Sequence, residues 1–175
     1  MLRLLGLGAF GWCLLAIGYQ PTAPARHDET EVAAVIAKFK EKDPGMAEIF
    51  AKSAGYAVFP TVGKGAFGIG GARGKGYVYQ HGSLIGRSTL TQVSIGFQFG
   101  GQAYSEVVFF LNQEALDNFK LGHLKLDAQA SAIALTARAS ADVAYRSGVA
   151  IVTMAKGGLM YEASVGGQKF SFKPL

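Results

Sequence analysis

Glycine sits inside the stretches of this chain that are patterned as β-strands, and not only between them. Twenty-four of the 175 residues are glycine, about twice the usual share. Glycine within a strand weakens it, because it supplies no side chain to pack and loses the most backbone freedom on folding. It is tolerated where a sheet bends sharply, bulges, or lets another backbone or a ligand approach closely. The expectation is an α+β fold: a strongly curved antiparallel glycine-rich sheet or partly closed β-barrel, with a few helices covering one face or end.

Period-two alternation is clearest in the seven residues from Val93 to Phe99, where large apolar residues alternate with small or polar ones. Tyr56 to Phe59, Phe67 to Gly71, Gly76 to Tyr79, Ser105 to Leu111, Val149 to Ala155, Leu159 to Ser164 and Lys169 to Phe172 read as further strands. Turn-length gaps at Gly157-Gly158 and Gly166-Gly167 favour antiparallel pairing. The glycine run that ends at Gly74 reads as a turn with Arg73 and Lys75 at its tip.

Helical spacing is confined to three places. Val32, Val35, Ile36 and Phe39 predict a helix from Asp28 to Lys42, with Asp28 and Glu31 as a capping box and Lys38 and Lys42 one turn apart on its outer face. A short second helix is predicted from Asp43 as N-cap and Pro44 at the first position, burying Met46, Ile49 and Phe50. A third runs from Asn112 through Lys120, burying Leu116 and Phe119 and stopping at Gly122. The alanine-rich stretch from Leu124 to Ala141 fits either helix or strand.

The first 25 residues read as an export signal: a basic start at Arg3, an apolar stretch from Leu4 to Ile17, and an Ala-x-Ala cleavage site at Ala23-Pro24-Ala25. That stretch falls short of the roughly 20 apolar residues needed to span a bilayer. Cys13 is the sole cysteine, and bulky Trp12 before it argues against a lipidated N-terminus. Residues 26–31 then form a short linker and residues 32–175 one domain, exported to the periplasm or cell envelope. Without cysteine the mature domain has no disulfide, thiolate nucleophile or Cys-based metal site.

The remaining chemistry is sparse. His27, His81 and His123 show no metal-ligand spacing, so no metal is expected. Gly63-Lys64-Gly65-Ala66-Phe67-Gly68 matches a dinucleotide-binding pattern, but nothing helical follows it, and no Walker lysine motif occurs. No Gly-x-Ser-x-Gly is present. Glu106, Glu114 and Asp117 could form a carboxylate pair, although the latter two, three apart on a helix, fit a solvated surface. The reading is a non-enzymatic protein without cofactor, nucleotide or nucleic-acid partner.

Charge distribution says more. Between Glu48 and Glu106 there is no carboxylate, while Lys52, Lys64, Arg73, Lys75 and Arg87 all fall there. Such asymmetry predicts a positive face suited to phosphate groups on lipid or another anionic polymer, or else solubilising edge residues.

Several ordered blocks resemble the SYLF-domain family. They are Ala54-Gly55-Tyr56-Ala57-Val58-Phe59-Pro60, Lys64 to Gly71, Gly74-x-Gly76, Gly96 to Gly101, Val107-Val108-Phe109, Leu121-Gly122 and Lys156-Gly157-Gly158-Leu159. The likeness covers roughly Val32 to Phe172. It implies a non-catalytic module that binds phospholipids, in eukaryotic members notably phosphoinositides, and in fungi regulates actin. An exported chain would not meet cytoplasmic actin, so an anionic phospholipid membrane surface is the expected partner. The expected headgroup contacts are Lys38, Lys42, Lys64, Arg73, Lys75 and Arg87, with apolar insertion by Phe67 or its neighbours in addition. Two other readings are a carrier whose curved sheet encloses an acyl chain against Val93, Ile95, Phe97 and Phe99, and a structural envelope protein with exposed edge strands.

Overall fold

The structure is a computed structural model that describes residues 26–67, 69–95, 102–124, 126, 131–157 and 163–175. Residues 1–25, expected to be an export signal, and residues 96–101, with Phe97 and Phe99, lie outside the described residues. Helices α1 (Arg26–Lys42) and α2 (Met46–Lys52) precede three long strands, β1 (Gly55–Phe67), β2 (Ile69–Gln80) and β3 (Ser83–Ile95). Then come β4 (Gln102–Phe110), α3 (Gln113–Lys120), β5 (Ser131–Ala134), β6 (Val149–Ala155), β7 (Ala163–Ser164) and β8 (Gln168–Pro174). The sheet order is β7-β5-β6-β4-β1-β2-β3-β8, a mixed sheet of seven strands to which two-residue β7 is added at the β5 edge. All pairings are antiparallel except β5 with β6.

Chain continuity forces this sheet to curl. Laid flat, seven strand spacings of about 4.8 Å would put β7 and β8 about 34 Å apart. Yet Ser164 ends β7 and Gln168 begins β8, and four residue steps reach no more than about 14 Å. The two edges are therefore folded towards each other, although no ladder joins them among the described residues. Rings fill the concave side: Phe59 of β1 contacts Phe170 of β8 at 5.7 Å, Phe170 contacts Phe119 of α3 at 5.4 Å, and Phe119 contacts Phe110 of β4 at 4.8 Å. Glycine makes that packing feasible at Gly76, where an added Cβ would lie 2.5 Å from the Phe59 ring.

The outer side of the sheet is half covered. Val32, Val35 and Phe39 of α1 and Met46 and Phe50 of α2 are buried against Val58, Tyr77, Val107, Phe109 and Val152. Phe50 meets Tyr56 and Phe109 edge-on at 5.0 and 4.9 Å, and Tyr56 stacks on Tyr79 at 5.2 Å. These two apolar layers, one on each side of β1 and β4, explain why Val107 to Phe110 reads as a continuous apolar run.

Local expectations met several corrections. Helix α3 matches its prediction: Asn112 Oδ1 accepts from the Ala115 amide at 2.9 Å, and Gly122 follows with φ +71°. Helix α1 already includes residues 26–31, so these are not a linker and Asp28 is no N-cap; Glu31 reaches across to β1 instead. Asp43 closes a turn by accepting from the Gly45 amide at 2.9 Å, which delays α2 to Met46, and its other oxygen accepts from the Ser140 amide at 2.6 Å. Arg73 and Lys75 do not form a turn tip but lie within β2, whose real turn is His81-Gly82, with φ +48° and +78°. The alanine-rich stretch, open to helix or strand in the sequence, contains among its described residues β5 and the start of a 3₁₀ turn, Ala139–Asp142.

Candidate functional site

Directly paired residues of antiparallel strands share a face, so the register of β2, β3 and β8 lays out their outer side in three rows. Arg73 pairs with Thr91 and Thr91 with Lys169; Lys75 pairs with Thr89 and Thr89 with Ser171; Tyr77 pairs with Arg87 and Arg87 with Lys173. Five cations and three hydroxyl side chains thus occupy an area about 10 Å across and 14 Å long. Arg73, Lys75, Arg87, Lys169 and Lys173 are all exposed, and none takes part in an ion pair among the described residues. Strands β2, β3 and β8 contain no carboxylate.

Helical cover decides where this face begins. Along β2 the outward residues change from Tyr79 and Tyr77, packed with the layer under α1 and α2, to bare Lys75 and Arg73. Exposed Val93, paired with Gly71, continues the same face beyond Arg73. Its 72% exposure removes it from the lining of any enclosed acyl cavity. The described concave side is filled by its own rings.

Of the six cations expected at the site, three meet on this face: Arg73, Lys75 and Arg87. Lys64 pairs with buried Ala72, which places it on the opposite side of the sheet. Lys38 lines a neighbouring groove of about 500 Å³ with Glu31, Ser105 and Lys156. Lys42, eleven residues beyond Glu31 on α1, lies about 16 Å farther along that helix. Lys169 and Lys173 were missed, although Lys169-Phe170-Ser171-Phe172-Lys173 alternates strictly and would expose both lysines on one side.

A second groove, about 380 Å³, opens where this face meets α1, lined by Glu31, Pro60, Thr61, Arg73, Gly74, Lys75 and Tyr77. A strut separates the two grooves. Lys156 Nζ donates to Thr61 Oγ1 at 2.5 Å and to Glu31 Oε1 at 3.4 Å, and Thr61 Oγ1 donates to the same Glu31 oxygen at 3.1 Å.

The three carboxylates Glu106, Glu114 and Asp117 stand in different surroundings. Glu106 is fully buried on the concave side of β4, Glu114 is exposed on α3, and Asp117 pairs with Lys120 at 2.6 Å on the surface. Glu106 Oε2 accepts from Gln168 Nε2 at 3.0 Å, while its Oε1 has no partner. Burial pushes its pKa up to about 7, the Gln168 bond opposing the shift. Burial also raises neighbouring Tyr104, with the Glu106 charge adding to it. Among the described residues no group of His, Cys, Asp and Glu is arranged to hold a metal ion, and no helix is long and apolar enough to cross a membrane.

Residues 91–174 match the family described as Ysc84: Las17-binding protein actin regulator. That match is consistent with the SYLF-domain resemblance. No curated protein matches the chain. The matched range begins within β3 and takes in Lys169 and Lys173, whereas Arg73, Lys75 and Arg87 precede it. The continuous β1-β2-β3-β8 ladder nevertheless joins both parts in one sheet, so the matched range and the strands before it build the basic face together.

Proposed function

We propose that this protein is a non-enzymatic module that binds anionic phospholipid at a membrane surface of the cell envelope, through the outer face of β2, β3 and β8. The observation that carries the reading is five exposed cations on one uncovered sheet face without an interspersed carboxylate. Each lysine or arginine near an anionic surface contributes about 1 kcal/mol, so five acting together would hold a domain of this size peripherally. Flanking Thr89, Thr91 and Ser171 can donate to phosphate oxygens without adding repulsion. Actin regulation is named in the description of the family; it is not part of this proposal, which reads the first 25 residues as an export signal.

The test is co-sedimentation of the purified protein with phosphatidylglycerol vesicles at 20 and 300 mM salt. Binding at low salt that weakens as salt rises, and that falls in Arg73→Glu and Lys173→Glu, supports the reading. Absence of binding to anionic vesicles at low salt would overturn it.

A further inference from the structure

The groove beside α1 differs from the rest of the basic face in one respect: it contains a carboxylate. Glu31 is its sole acidic lining residue, set against Arg73 and Lys75. Both contacts that Glu31 makes, to Thr61 and Lys156, fall on Oε1; Oε2 makes no hydrogen bond or ion pair among the described residues. Its side chain is 44% exposed, so the free oxygen is within reach of solvent and of a ligand. A groove meant for anions alone would gain nothing from a carboxylate, which repels phosphate. Two unpaired cations facing one carboxylate across about 380 Å³ instead match a ligand that carries both signs, and that volume is within the range of small-molecule sites.

We infer that this groove is a headgroup subsite for an amine-bearing phosphodiester of the phosphoethanolamine type, with Arg73 and Lys75 on the phosphate and Glu31 on the ammonium. The ammonium lies two carbons from the ester oxygen, a short span that lets one ligand meet the sheet and the helix together. An N–H donor is essential to the assignment, since a trimethylated amine cannot hydrogen-bond to Glu31. Thr61 and Lys156 hold the carboxylate from the far side, which fixes its position and lowers the ordering cost of binding. This inference rests on the phospholipid reading above and adds to it a choice of headgroup.

The experiment titrates the protein with glycerophosphoethanolamine, glycerophosphocholine and glycerophosphoglycerol, followed by backbone amide shifts, and repeats the comparison on vesicles. The vesicles hold a fixed phosphatidylglycerol fraction in phosphatidylethanolamine or phosphatidylcholine. An exposed pair contributes up to about 1 kcal/mol, so a two- to five-fold preference for ethanolamine over choline is expected, with shifts at Thr61 and Lys75. Glu31→Gln should erase that preference without weakening the phosphoglycerol affinity, which holds or rises once the repelling charge is gone. Lys156→Met breaks the same strut but keeps the carboxylate, and should retain the preference; this separates ligand contact from loosening of α1. Equal affinity for the ethanolamine and choline forms, or a preference that survives Glu31→Gln, overturns the subsite. Because the phosphatidylglycerol fraction is constant, that outcome is distinct from loss of all vesicle binding, which would overturn the underlying reading.

Discussion

The Glu106 carboxyl of β4 and the Gln168 carboxamide of β8 meet inside the concave core, with Gln168 Nε2 3.0 Å from Glu106 Oε2. Four ladder steps separate those strands in the sheet, so this bond spans the curl instead of following it. Glu106 Oε1 and Gln168 Oε1 are both buried without a partner. Both are acceptors without a donor, and protonation of the carboxyl supplies one.

Folding stability should therefore fall as pH rises. The folded-state pKa of Glu106, about 7, lies above its ordinary 4.5, so the native state holds the proton more tightly than the unfolded chain. The contribution is complete below pH 4.5, is lost progressively between 4.5 and 7, and is gone above that range. At one pKa unit per 1.36 kcal/mol, the loss is about 3 kcal/mol. Urea denaturation at pH 5 and pH 8.5 measures it, and Glu106→Gln should flatten the difference.

Gly76 and Gly63 test why glycine is inside the strands. A Cβ on Gly76 would press into the buried Phe59 ring, whereas one on Gly63 would meet nothing within 4 Å. Gly76→Ala should cost about 1–3 kcal/mol by overpacking, and Gly63→Ala should be neutral or slightly stabilising. Thermal melts of the two variants separate the cases, and equal losses would contradict the packing account.

Asn112→Ala should lower stability by about 1 kcal/mol, because it removes the acceptor for the Ala115 amide at the start of α3. Asn112→Asp keeps an acceptor and should restore most of the loss. Differential scanning calorimetry is sufficient to compare them.

The basic face predicts an ordering among cation substitutions. Lys173→Glu and Arg87→Glu should each weaken phosphatidylglycerol vesicle binding by more than five-fold, since charge reversal replaces an attraction of about 1 kcal/mol by a repulsion. Lys42→Glu, remote on α1, should change it by less than two-fold. An equal effect at all three positions would point to net charge in place of a defined face.

Much of the fold could be read from local sequence. Asn112 and Gly122 bracket α3 because capping and left-handed backbone are decided within a few residues. The alternation of Tyr77 to Tyr79 and of Lys169 to Phe172 identified strands for the same reason. That Lys38, Lys42 and Lys64 stand apart from Arg73, Lys75 and Arg87 was not legible, because strand order, register and helix placement are set by contacts between distant segments. The sequence by itself determined that the glycine-rich strands carry cations and no carboxylates. The tertiary structure decided which of those cations stand together, because pairing β8 with β3 adds Lys169 to the row of Arg73 and Lys173 to the row of Arg87, and α1 covers only half of that side.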